Sequence, residues 1–187
     1  VIKAVLGTMP MFWPGLLCSL VPAALLNRVV GRWLRAHWAV AFVLLLALGG
    51  LVTLTLLPDA RGPFWAASGR AARHCDLTGF GLRPLREFTT VDPTSLDVAL
   101  YVTIGLAAVL AGTRARAAAV LLGATALPFA VEAVQYALPG IGHACTAQDV
   151  LDSLLGLALG AAAGLLSGPA ARAGVRSLRA GEFPPRP

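Results

Sequence analysis

Glu132 and Gln135 stand three residues apart near the end of an otherwise apolar stretch, and Asp149, Asp152 and Ser153 open the next one. A spacing of three places Glu132 and Gln135 on one face of a helix, with Pro128 and Thr125 on that face one and two turns deeper. Carboxyl and carboxamide groups in such a pattern can bind a polar ligand, act as a general acid/base pair, or relay a proton. With His143 in the intervening turn, the three carboxyl groups also form a donor set of the kind that suits magnesium or calcium. A charged carboxylate at the centre of a bilayer costs about 2.5–3.5 kcal/mol, so these side chains need partners, water or a proton. The purely structural alternative makes Glu132 and Gln135 hydrogen-bonded glue between helices. In that alternative Asp149 and Asp152 start a helix, with Asp149 as its N-cap.

The elements that carry these residues are apolar blocks. Hydrophobic residues make up 57% of the 187-residue chain and charged residues 13%, against roughly 25% charged in soluble domains. The blocks match the roughly 20 residues that a helix needs to cross a bilayer. The fold class expected is all-α: a polytopic membrane bundle of about five transmembrane helices over 4–26, 38–57, 96–112, 117–138 and 149–166. Together they form one transmembrane domain, 1–168, with an extracellular loop 58–95 and a basic, Pro-containing tail, 169–187, expected to lack regular structure. Pro10, Pro14 and Pro22 predict a kinked first helix. That block is long and lacks a clear small-x-small cleavage site before Arg28, which weighs against a signal peptide. Gly156, Gly160 and Gly164 recur every fourth residue in the last block, a packing ridge that lets helix backbones approach closely in lipid.

Arginine sets the direction of the bundle. The 27–37 loop, the 113–116 turn and the tail carry nine basic residues against one acid, Glu182, which assigns them to the cytoplasm. The N-terminus then lies outside and the C-terminus inside. The loop after Pro58 holds five arginines nearly balanced by four acids and faces outward. The net charge of +6 is accounted for by the membrane surface, and no nucleic-acid partner is expected. Cys75 in the long loop and Cys145 in the 139–148 turn both fall on the oxidising side, so a Cys75–Cys145 disulfide is expected. Cys18, inside the first block, reads as a small buried apolar residue. No cofactor and no resident metal are expected.

The motif over 132–160 resembles that of the VanZ-like family of bacterial membrane proteins, named for a factor associated with low-level teicoplanin resistance. That pattern is Glu-x-x-Gln on one helix, a Gly-Arg turn, then Asp-x-x-x-Asn-x-x-Gly-x-x-x-Gly on the next. Glu132 and Gln135 match the first part, and Asp149, Gly156 and Gly160 the last, with Asp152 in addition. Ser153 stands where the family has Asn, and His143 where it has Arg. An earlier family feature in the third span falls on Asp97, Tyr101, Thr103 and Gly105, of which the aromatic and the glycine are kept. Losing the arginine while gaining Asp97 makes the outer cluster more acidic. The resemblance covers roughly residues 38–166 and implies a multi-pass protein of the bacterial plasma membrane with a role in the cell envelope.

The leading expectation is a non-enzymatic protein. Its ligand-binding residues would be Glu132, Gln135, His143, Asp149, Asp152 and Ser153, taking a cell-wall precursor, another lipid-linked molecule or a glycopeptide in an outward-facing pocket. An intramembrane enzyme using the Glu/Asp cluster, with or without a divalent cation, and a small transporter stay open. So does an oligomer.

Overall fold

A computed structural model describes residues 12–56, 75–78, 81, 83, 93–138 and 145–181. Among the described residues, five helices and two short strands follow in order: α1 (Phe12–Leu34), α2 (Trp38–Leu56), β1 (Cys75–Asp76), α3 (Pro93–Val109), α4 (Arg114–Ala137), β2 (Cys145–Thr146) and α5 (Ala147–Gly181). Four of the helices, α1, α2, α4 and α5, are long and apolar enough to cross a membrane. The remaining helix, α3, has 17 residues, about 25 Å at 1.5 Å per residue.

Burial is inverted relative to a protein folded in water. Leu122 is 72% exposed and Leu166 86%, while Asp152 is 2% and Gln135 6% exposed. Water would reverse that distribution, because exposed apolar area costs about 25 cal/mol per Å² and buried polar groups cost more still. Hydrocarbon around the bundle removes the first cost. The second is met by partners inside. The apolar core lies among α2, α3, α4 and α5, built from Leu44, Leu51, Tyr101, Ile104, Ala124 and Leu157.

Several boundaries differ from the sequence expectation. Helix α1 runs to Leu34, so Arg28 and Arg32 lie on the helix and the connection to α2 shrinks to Arg35, Ala36 and His37. Residues 4–10, with Pro10, lie outside the described residues, and Pro22 sits inside an unbroken helix. The α1 terminus is a Schellman turn: Ala36 N donates to Gly31 O at 2.9 Å and Arg35 N to Arg32 O at 3.2 Å. Arg35 occupies the left-handed position with φ of 53°, where glycine is usual. The third helix begins at Pro93 instead of Leu96, so the 58–95 loop is shorter by its last three residues. The last helix continues past Leu166 to Gly181. The tail expected to be irregular is therefore helical over most of its length, consistent with its Ala, Leu and Arg content.

Two further corrections concern facing. Cys18 is exposed, because α1 packs chiefly on α2 and Cys18 falls on its other side. Thr125 is exposed and donates to Leu121 O within its own helix, so the buried row on α4 is Ala124, Pro128, Glu132 and Gln135.

The two ends of the bundle differ in chemistry. At one end the α1–α2 and α3–α4 connections meet: Gly112 N donates to Leu34 O at 3.0 Å, and Gly112 lies against the backbone of Arg35. This end carries Arg28, Arg32, Arg35, Arg114 and Arg116. At the other end β1 pairs in parallel with β2, with Cys75 opposite Cys145 and Asp76 opposite Thr146. A Cys75–Cys145 disulfide joins the two strands, its Cα atoms 4.6 Å apart and 70 residues separated in sequence.

Candidate functional site

The acidic residues converge at the disulfide end. A cavity of about 100 Å³ is lined by Asp97 and Tyr101 from α3, Glu132 and Gln135 from α4, and Asp149, Asp152 and Ser153 from α5, with Thr55 from α2. All but Tyr101 lie within two turns of a helix terminus, so four helices contribute their same-side ends. The apolar part of the wall comes from Leu54, Pro128 and Val131.

Helix α5 holds its polar residues in place through a cap. Asp149 N donates to Thr146 Oγ1 at 3.1 Å, which makes Thr146 the N-cap and puts Asp149 in the first turn. The expectation that Asp149 itself caps the helix is corrected accordingly: the helix begins at Ala147, two residues earlier than read from sequence. Thr146 N in turn donates to Glu132 Oε2 at 2.8 Å. A buried carboxyl on α4 thus anchors the start of α5. Gln135 Nε2 donates to Thr55 O at 3.2 Å, satisfying one of the carbonyls that the end of α2 leaves without a helical partner.

The glycine ridge brings Asp97 and Tyr101 into the site. A Cβ at Gly156 would press on Val98 O and Tyr101 Cβ, one at Gly160 would strike Val102 O, and one at Gly164 would meet Val109. Gly105 answers from the other side, against Leu157 O and Ala161 N. The ridge therefore packs α5 on α3, and these two helices form the most extensive pair in the bundle. Ser153 Oγ donates to Asp97 Oδ2 at 2.8 Å across this contact. The binding residues expected from sequence lie on α4, α5 and the turn between them; the cavity also draws on Asp97 and Tyr101 of α3 and Thr55 of α2.

A cation missed by the sequence reading lies against the acids of α5. Arg83, from the loop between α2 and α3, places Nε 2.9 Å from Asp152 Oδ2 and a terminal nitrogen 3.8 Å from Asp149 Oδ1. Its segment is fixed twice more. Gln148 brackets Gly81, accepting from Gly81 N at 3.2 Å and donating to Gly81 O at 2.9 Å. The same Gln148 Nε2 donates to Asp152 Oδ1 at 3.0 Å. His143 lies outside the described residues. The available signal was the excess of carboxyl groups at this end, which calls for a counter-charge, and Cys75 eight residues before Arg83.

Two polar atoms in the cavity wall, Asp97 Oδ1 and Gln135 Oε1, are buried and have no hydrogen-bond partner among the described residues. Such atoms cost about 1–3 kcal/mol each when left unmet. Among the described residues no three His, Cys, Asp or Glu side chains come together as a metal-binding group.

Fold and site together define a helical protein with an apolar exterior, a polar cavity at one end and a disulfide-stapled segment beside it. Comparison with protein-family models, with curated proteins and with solved structures finds no match for this chain.

Proposed function

We propose that this is a multi-pass protein of the bacterial plasma membrane, VanZ-like in its motif, whose outward-facing cavity binds a cell-wall precursor, another lipid-linked molecule or a glycopeptide, and which thereby lowers susceptibility to teicoplanin. The observation that carries the reading is the convergence of Asp97, Glu132, Gln135, Asp149 and Asp152 on one cavity, two of whose wall atoms lack partners among the described residues. Polar side chains recruited only to glue helices would satisfy one another. These leave a hole between them.

Orientation rests on the separation of the arginine-bearing connections from the disulfide end. The positive-inside rule assigns the first to the cytoplasm and oxidising conditions assign the second to the outside. A reporter fused at the 113–116 turn is expected to score as cytoplasmic, and an external score would reverse the cavity's exposure.

The function itself is tested with Glu132→Gln in a susceptible bacterium. The carboxamide oxygen can still accept from Thr146 N, so the variant should reach the membrane at the wild-type level with its melting temperature kept. Wild-type expression is expected to raise the minimum inhibitory concentration of teicoplanin, and Glu132→Gln to return it to that of the empty vector. Susceptibility unchanged by both deletion and overexpression would refute the proposal.

A further inference from the structure

We propose that the cavity takes a primary ammonium group, presented by an amino-bearing molecule at the disulfide end of the bundle. This assignment rests on the reading of the cavity as a binding site and names the chemistry of its ligand.

The inner wall offers acceptors and asks for donors. Gln135 is 6% exposed, and its carboxamide nitrogen is committed to Thr55 O. A carbonyl oxygen cannot accept from another carbonyl, so the amide orientation is fixed and Oε1 is the atom left over. Asp97 uses Oδ2 on the Ser153 hydroxyl, and its Oδ1 is buried without a partner among the described residues. Glu132 stands beside them, with Oε2 on Thr146 N. An ammonium group has three N–H donors and no acceptor, which complements two open oxygens and a neighbouring carboxyl.

Charge points the same way. Asp97, Glu132, Asp149 and Asp152 all line the cavity. The guanidinium that approaches them, Arg83, is held on Asp152 and Asp149 at the disulfide end and leaves Asp97 and Glu132 without a cation beside them among the described residues. An anionic ligand would meet these acids with no donor surplus to offset them. About 100 Å³ of space suits an ammonium with its adjoining methylenes, for which Leu54, Pro128 and Val131 supply apolar wall.

The test uses the full chain in phosphatidylcholine nanodiscs and three dissolved probes with one alkyl group and different heads: n-butylammonium, n-butanol and butyrate. Saturation-transfer NMR titrations are expected to show saturable butylammonium binding, with the other two at least about tenfold weaker, the loss that follows from removing a hydrogen bond to a charged group. Asp97→Asn should weaken butylammonium by about tenfold. Arg83→Gln should strengthen it, because Asp149 and Asp152 lose their counter-charge; a damaged fold would instead weaken every probe. A second arm replaces part of the phosphatidylcholine with phosphatidylethanolamine. Competition with butylammonium there assigns the ammonium to a lipid headgroup, and undiminished binding assigns it to a soluble amine. If butanol or butyrate binds as tightly as butylammonium, the ammonium assignment falls while the cavity stands as a site for another class. If none of the three binds, the assignment and the binding-site reading fall together.

Discussion

Gly160→Ala is expected to destabilise the bundle by about 1–3 kcal/mol or more, and Gly160→Leu to prevent recovery of folded protein. The reason is what the new carbon would meet. At Gly160 it would run into the backbone carbonyl of Val102, and a backbone cannot rotate aside as a side chain can. The same approach is enforced from the facing helix, where Gly105 lies against Leu157 O and Ala161 N. In lipid there is no hydrophobic drive to restore the contact once it is spread, because the solvent is as apolar as the helix surface. Separation of α3 from α5 would also stretch the 2.8 Å bond from Ser153 to Asp97 and open the cavity from its centre. Gly123 is the control: a Cβ there meets nothing within 4 Å, and Gly123→Ala should leave the melting temperature unchanged or slightly raised. Thermal unfolding in one detergent, read side by side for the two alanine variants, checks this. Equal melting temperatures would mean that α3 and α5 do not approach as closely as described.

The helices were legible because a bilayer imposes a length and an apolar composition on whatever crosses it, and 38–57 and 117–138 each fall within three residues of a helix end. The ridge of Gly156, Gly160 and Gly164 was legible as a packing surface, yet its partner was not. Small residues state that something approaches closely, and the identity of that something is set by tertiary arrangement. Here it is α3, the shortest of the described helices. On α4 the stripe through Glu132 and Gln135 was read correctly at its polar end and wrongly at its deep end. The buried row follows the i, i+4, i+8 line through Ala124, Pro128 and Glu132, a line inclined to the helix axis, which carries it past Thr125. Arg83 was the least legible part of the site. Five arginines lie in the loop after Pro58, and no local pattern separates the one that reaches Asp152, 69 positions along the chain, from the others.

Breaking the disulfide is expected to reach further than chain entropy alone. Cys145→Ser removes a cross-link that closes a loop of 70 residues, worth about 2–4 kcal/mol through restriction of the unfolded chain. In the folded protein the same bond fixes β1 against β2 and thereby the segment that carries Gly81 and Arg83. Asp152 is 2% exposed, and a buried carboxyl that loses its guanidinium is costly. Cys75→Ser, Cys145→Ser and reductant should therefore lower the melting temperature by the same amount, and reductant should add nothing to either variant. Mass spectrometry after alkylation checks the bond itself: full labelling of Cys75 and Cys145 before reduction would sink this prediction, while Cys18, exposed on α1, should label either way. The two contributions separate in a double-mutant cycle. If the staple acts partly by holding Arg83 on Asp152, then Cys145→Ser combined with Arg83→Gln will cost less than the sum of the single changes, because the second removes a contact the first has already loosened. Strict additivity would assign the whole effect to the unfolded chain and leave the position of Arg83 to the Gln148 bracket.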